Sequence, residues 1–288
     1  MEGNESGWWS VNLGVVLGGG GCLCAAELGM LQALAEWRIA PSVVVGTSGG
    51  GIIAGALGAG VPLDALVATW RIVCANPERY GLDEGWHFVK DELEPSAAPG
   101  LFTLQPALRD VLLHAGARYT HGWRAGYAVV TTDVSTGETR ALGNKPVCAQ
   151  AWESLVALQA TSAFPGLFSG VRIDGALYQD GGLLDNVPAN IAAGMSADRL
   201  LVMSFDGPPG PLPPKMSILA ALYRSVQVAI RAAQAPAPDV AMLDVKPSLP
   251  AGAWLLSFSL FEQLRQAGYE ATVARRAEIE AFAKGQAA

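Results

Sequence analysis

VVLGGGGCLCAAELGMLQAL, residues 15–34, passes from an apolar run through four consecutive glycines into a segment with helical character. The apolar run bounded by glycine reads as a buried strand, Leu13–Leu17, and the residues from Cys24 to Trp37 read as a helix. The same order returns at once. Ser42–Val45 reads as a second strand, Gly46-Thr47-Ser48-Gly49-Gly50 as a glycine-rich turn, and a small-residue helix follows to about Ala59. Strand–loop–helix units in succession predict an α/β fold with a mostly parallel sheet, because parallel neighbours need a crossover between them.

Outward from this pair, Leu63–Cys74 and Gln105–Ala115 read as helices, and Tyr127–Leu142 as two strands around a Ser-Thr-Gly turn. Trp152–Ala160 reads as a helix, Val171–Gly182 as a short hairpin, Leu200–Phe205 as a strand and Phe261–Phe282 as one charged closing helix. Residues 1–10 read as a loose lead-in, and residues 206–214 as loop, since their prolines block ladder and helix alike. Residues 75–100 are irregular, carry Trp86, His87 and Phe88, and form a candidate active-site cover. Ile218, Leu222, Val226 and Ile230 recur at helical spacing with Arg224 and Arg231 off the stripe. That pattern fits a helix packed on its core, with a membrane-facing stripe as the other reading.

Composition narrows the function classes. The chain has 288 residues, 51% hydrophobic and 16% charged, with no long polar divider, which favours a single domain spanning 1–288. A net charge of −7 makes it a poor partner for nucleic acid or anionic lipid. The uncharged run Ile39–Leu63 is long enough to suggest a membrane span, yet its glycines and the strand-then-helix pattern mark buried soluble core. No signal peptide is legible, so a cytoplasmic setting is expected. Cys22, Cys24, Cys74 and Cys148 lack the spacing of a zinc site and read as buried reduced thiols, and no EF-hand loop is present. No metal or cofactor is expected.

The glycine loop has three readings. A phosphate cradle needs a following Gly-Lys-Ser/Thr, which is missing. A dinucleotide fingerprint needs a third glycine where Leu23 or Cys24 stands. An oxyanion hole needs a nucleophile elsewhere, and Gly46-Thr47-Ser48-Gly49-Gly50 supplies the G-x-S-x-G pattern of a serine on a sharp strand-to-helix turn. Such a serine needs a base. His87, His114 and His121 all precede residue 122, which excludes the order Ser…Asp…His with Asp180 as acid. A histidine would have to work with Asp83 or Asp110, neither in a motif-like setting. Asp180, followed by Gly181 and Gly182 on a tight turn, is the better candidate, a carboxylate able to take the serine proton directly.

Taken together, LGGGGCLCAAELGMLQAL, VVGTSGGGIIAGALGAG, ATSAFPGLF and YQDGGLLDNVP resemble the four blocks of the patatin-like phospholipase family in order and spacing, from residue 13 to roughly 190. The ending SFSLFEQLRQAGYEAT is similar to the closing helix of bacterial members. The resemblance implies a three-layer α/β/α fold with a helical C-terminal part over 215–288. It also implies metal-independent hydrolysis of lipid acyl esters by Ser48 and Asp180, with Gly46 and Gly50 shaping the nucleophile turn, and Gly181 and Gly182 the base turn. Backbone N–H groups from Gly19, Gly20, Gly21 and Cys22 would form the oxyanion hole. The partner implied is a lipid or other acyl ester, met by at most transient contact with a membrane surface.

One departure stands out. The family's first block usually reads G-G-G-x-Arg/Lys-G, whereas here Leu23 and Cys24 occupy the cation and final glycine positions. A weaker hydrolase, an uncharged head group or a different acyl acceptor would each follow, so acyl transfer and lipid binding without turnover stand as alternatives to hydrolysis.

Overall fold

The computed structural model describes residues 12–82, 100, 102–113, 126–143, 153–205 and 218–286. The chain opens with β1 (Leu13–Leu17), whose residues are buried throughout, and after the glycines makes a 3-10 turn over Gly21–Cys24 into α1 (Ala25–Glu36). β2 (Val43–Thr47) leads without a break into α2 (Ser48–Ala59), which ends on Gly60 in the left-handed conformation, and α3 (Leu63–Ala75) follows. Then come α4 (Gln105–Leu112), the antiparallel pair β3 (Tyr127–Asp133) and β4 (Glu138–Gly143), and α5 (Ser154–Thr161). β5 (Val171–Ile173) and β6 (Ala176–Asp180) form the hairpin, followed by α6 (Ala189–Gly194) and β7 (Arg199–Met203). The described chain closes with α7 (Ile218–Ala233), β8 (Ala241–Val245), α8 (Phe261–Val273) and α9 (Arg276–Ala283).

Among the described residues the sheet runs β5-β6-β3-β2-β1-β7-β8, with β4 paired to β3. β3, β2, β1, β7 and β8 are mutually parallel, and β4, β6 and β5 add antiparallel partners at one end. Successive strand residues point to opposite faces, so each all-apolar strand serves two cores. Val15, Leu17, Val44, Val129, Leu201 and Met203 face the larger one, with Leu28 of α1, Ile53 of α2, Leu66 of α3, Leu108 of α4, Leu158 of α5 and Leu264 of α8. Val16, Val43, Val45, Ala128, Val130, Leu200 and Val202 face the smaller one, covered by Ala189 and Ala192 of α6. Helices on both sides of the sheet give the α/β/α layering.

Two expectations change. The closing helix is two helices, α8 and α9, with Arg275 at the break. Its guanidinium donates to the Asp244 carbonyl of β8 (2.5 Å) and to the Glu278 carboxylate (2.7 Å), which turns the chain so that Ile279 and Phe282 become buried. The C-terminal part, expected to be helical, also supplies β8 to the sheet edge. In α7, Val226 and Ile230 pack against a third cluster formed by Phe164, Leu167, Leu255 and Leu256, in keeping with a core-packed stripe. The uncharged run divides into β2 and α2, and no helix among the described residues is long and apolar enough to cross a membrane. The lead-in, Cys148, the loop over 206–214 and most of the candidate cover lie outside the described residues.

Candidate active site

The register of β3 explains how residues 132 positions apart come together. β4 takes one edge of β3, pairing from Ala128 to Asp133. The other edge is shared: β2 pairs up to Thr47 opposite Val130, and antiparallel β6 ends with Asp180 opposite Thr131. Thus β2 and β6 meet end to end, and the first residue past β2 is Ser48.

Ser48 sits at φ 55°, a left-handed conformation that a non-glycine residue adopts only under constraint from its surroundings. The tight entry into α2 explains the flanking glycines. A Cβ on Gly46 would collide with the Gly50 carbonyl, and one on Gly50 would stand 2.6 Å from the Leu17 carbonyl oxygen. The turn is held by Thr161, whose Oγ1 accepts the Ser48 N–H at 3.0 Å and donates to the Val130 carbonyl. Placing Ser48 at the N-terminus of α2 also puts its hydroxyl where the helix dipole favours negative charge.

Ser48 Oγ donates to Asp180 Oδ2 at 2.7 Å, and the Gly182 N–H donates to Asp180 Oδ1 at 2.8 Å. Asp180 is 3% exposed, and burial drives its pKa up to about 7 against the downward pull of the Ser48 and Gly182 bonds. Gly181 packs with its Cα on the Val130 carbonyl, where a side chain would collide. All three histidines lie outside the described residues, and Asp110 accepts a bond from the Tyr80 hydroxyl at 2.8 Å on α4.

The glycine loop lies over this pair. Its four N–H groups singled out from sequence divide: that of Gly19 donates to the Asn186 carbonyl (3.0 Å) and that of Cys22 to the Leu255 carbonyl (2.8 Å). Those of Gly20 and Gly21 have no acceptor among the described residues. Only these two are therefore available to a ligand, because a donor already committed to a carbonyl has no second hydrogen to offer. Asn186, four residues after Gly182, whose N–H donates to Asp180, also donates from Nδ2 to the Gly19 carbonyl (3.3 Å) and so ties the loop to the base turn.

A cleft of about 730 Å³, partly open to solvent, adjoins Ser48. Trp70, Leu108, Val111, Phe164, Phe168 and Leu255 are among its walls, and its accessible lining is almost wholly apolar. Leu82, from the edge of the candidate cover, also lines it. Cys22, Cys24 and Cys74 are free and buried. The hydrogen bond to Cys74, together with burial, pushes the Cys22 thiol above its ordinary range, which disfavours the thiolate.

Neither Thr161 nor Asn186 was singled out by sequence reasoning. Both stand inside recognisable blocks, ATSAFPGLF and YQDGGLLDNVP, whose other residues attracted the chemistry.

The patatin-like phospholipase family pattern matches residues 15–193, well over half of the chain, and the chain belongs to that family. An uncharacterized NTE family protein of Mycobacterium bovis is 28% identical over 207 residues, covering 69% of this chain and 50% of that protein. A patatin-like phospholipase domain-containing protein of Caenorhabditis elegans is 32% identical over 188 residues, covering 64% of this chain and 13% of its own length. The chain thus spans half or less of these relatives. The crystal structure of VipD from Legionella pneumophila aligns with a TM-score of 0.40 at 13% identity, over 89% of this chain and 67% of that one.

Proposed function

We propose that this lipid acyl hydrolase relative cleaves lipid esters through a Ser48–Asp180 dyad and an acyl-enzyme. The observation that carries the reading is the 2.7 Å bond from Ser48 Oγ to a buried carboxylate, on a strained turn beside an apolar cleft. Asp180 takes the Ser48 proton as Oγ attacks the ester carbonyl, and a pKa near 7 suits a base that must accept and return a proton near neutrality. The oxyanion is met by the N–H groups of Gly20 and Gly21, the two of the loop that have no acceptor among the described residues. Asp180 then protonates the departing alcohol. In the second half-reaction it deprotonates a water that releases the fatty acid from Ser48.

The substrate proposed is an ester with an uncharged region next to the scissile bond. Leu23, at the position of the family's cation, packs partly buried against the main core and brings no positive charge to the loop. A lipid panel with mass-spectrometric product detection tests this, run beside Ser48→Ala and with a fluorophosphonate probe. Wild type is expected to label and to release fatty acid, faster from neutral esters than from phospholipids, and Ser48→Ala to do neither. Turnover retained in Ser48→Ala overturns the dyad, and a preference for phospholipid overturns the substrate assignment.

A further inference from the structure

Glu27 lies in the first turn of α1, and its side chain is fully buried with neither carboxyl oxygen hydrogen-bonded among the described residues. A carboxylate in that condition is among the least tolerable groups a protein interior can hold. Its polar neighbours are Cys24, one helical turn earlier, and the backbone of Gly18. Both are committed elsewhere. Cys24 Sγ donates its hydrogen to the Gly18 carbonyl at 3.3 Å, and the Gly18 N–H goes to the Met203 carbonyl at 3.1 Å. The Cys24 thiol and the Gly18 N–H draw the Glu27 pKa down by less than burial raises it, because they already serve the carbonyls of Gly18 and Met203, whereas a protonated Glu27 has a hydrogen of its own to give. The start of α1 favours a negative charge, but a helix end contributes less than burial of an unpaired charge costs. Burial accordingly drives the Glu27 pKa well above the usual carboxylate range.

The place of this pair matters because Cys24 separates the two halves of the site. A Cβ on Gly49, the residue after the nucleophile, would stand 2.6 Å from Cys24 Sγ and 2.8 Å from the Gly21 carbonyl. The thiol therefore fills the gap between the nucleophile turn and the glycine loop, while its hydrogen bond fixes Gly18 at the loop's root. Cys24 stands where the family usually has glycine, so this contact belongs to this chain's own loop. The charged groups of the helices packed on α1 face other partners: Arg71 and Arg265 pair with Glu262, Arg265 also with Gln32, and Tyr269 with Glu36. Cys74 of α3 lies against Cys22. Asp180 is near enough to Cys24 to oppose a negative charge there.

We propose that Glu27 is a positioning residue which keeps its proton through turnover, and that with Cys24 it forms a neutral strut holding the glycine loop against the nucleophile turn. Loss of the proton would place an uncompensated negative charge behind the loop that must receive an oxyanion. The strut's effect on rate rests on the hydrolase reading above; its protonation does not.

The test compares wild type with Glu27→Gln, Glu27→Leu and Cys24→Ala. A carboxyl whose folded pKa is raised destabilises the fold as pH climbs above its unfolded value, near 4.5. The melting temperature of Glu27→Gln should therefore match wild type at about pH 4 and exceed it by at least about 3 °C at about pH 8. A constant gap across that range overturns the neutral acid. Glu27→Leu and Cys24→Ala should each lower kcat about tenfold with KM little changed, and slow fluorophosphonate labelling of Ser48 in parallel, while Glu27→Gln restores most of both. Unchanged rates in Cys24→Ala overturn the strut. Absence of esterase turnover in wild type overturns the hydrolase reading alone, since the melting curves still decide the protonation of Glu27.

Discussion

Asp180 is nearly without solvent, yet a base for Ser48 has to be ionised when the ester arrives. Its pKa of about 7 is the compromise between burial, which favours the neutral acid, and the hydrogen bonds from Ser48 and Gly182, which favour the carboxylate. Two outcomes follow. First, kcat/KM should rise close to tenfold per pH unit below about 7 and level off above it, in a pH–rate profile on a soluble ester. Second, because the folded pKa lies above the unfolded one, the native state holds a proton that the unfolded chain has lost between about pH 4 and pH 7, and stability falls as pH rises through that window. Asp180→Asn should therefore abolish turnover while melting higher than wild type at about pH 8, by an amount of order 4 kcal/mol at full extent that vanishes near pH 4. Thr161 belongs to the same scale. Replacing it by valine leaves the Ser48 N–H and the Val130 carbonyl without their shared partner, a cost of about 2–4 kcal/mol in stability. Denaturant melts should show that loss, with kcat reduced about a hundredfold as the turn relaxes, and Thr161→Ser should recover most of both.

Between elements, the contact of α1 with α8 fixes the helix into which the glycine loop runs. Gly29 and Gly268 let the two helices approach until backbone meets backbone; a Cβ on Gly268 would run into the Ala26 carbonyl, and one on Gly29 into the Arg265 carbonyl. Gly268→Val should cost at least about 3 kcal/mol in chemical denaturation, since neither helix backbone can yield locally. The alternation of strands and helices was legible because each apolar run between glycines is too short for a helix and each following segment long enough for one. The Ser48 and Asp180 turns were legible for a related reason: backbone approaches that exclude a side chain leave glycines in the sequence. β8 was not, because Met242 is exposed and Asp244 half-exposed, so the strand lacks the apolar run of its neighbours. Nor was the α8–α9 break, where Ala274 and Arg275 are good helix formers and the turn is imposed by the Asp244 carbonyl on another element. Thr161 and Asn186 act through partners distant in the chain, and nothing in their local sequence marks those contacts.

For the molecule as a whole, the net charge of −7 and the apolar cleft point to the same kind of substrate surface. Many of the described cations are already neutralised by acids: Arg71 by Glu262, Arg140 by Glu138, Lys246 by Asp244, Arg275 by Glu278 and Arg276 by Glu280. An acidic body approaching an anionic bilayer is repelled over a distance of about one Debye length, roughly 10 Å at 0.1 M salt and 3 Å at 1 M. Hydrophobic insertion of an acyl chain into the cleft has no such range and no such salt dependence. The rate on vesicles carrying a neutral ester should therefore fall as anionic lipid is added at low ionic strength, and most of the loss should return at high salt. The rate on the same ester dispersed in a neutral micelle should respond little to salt. Acceleration by anionic lipid would reveal a basic docking surface, and with it a substrate whose charge, rather than its acyl chain, directs the encounter.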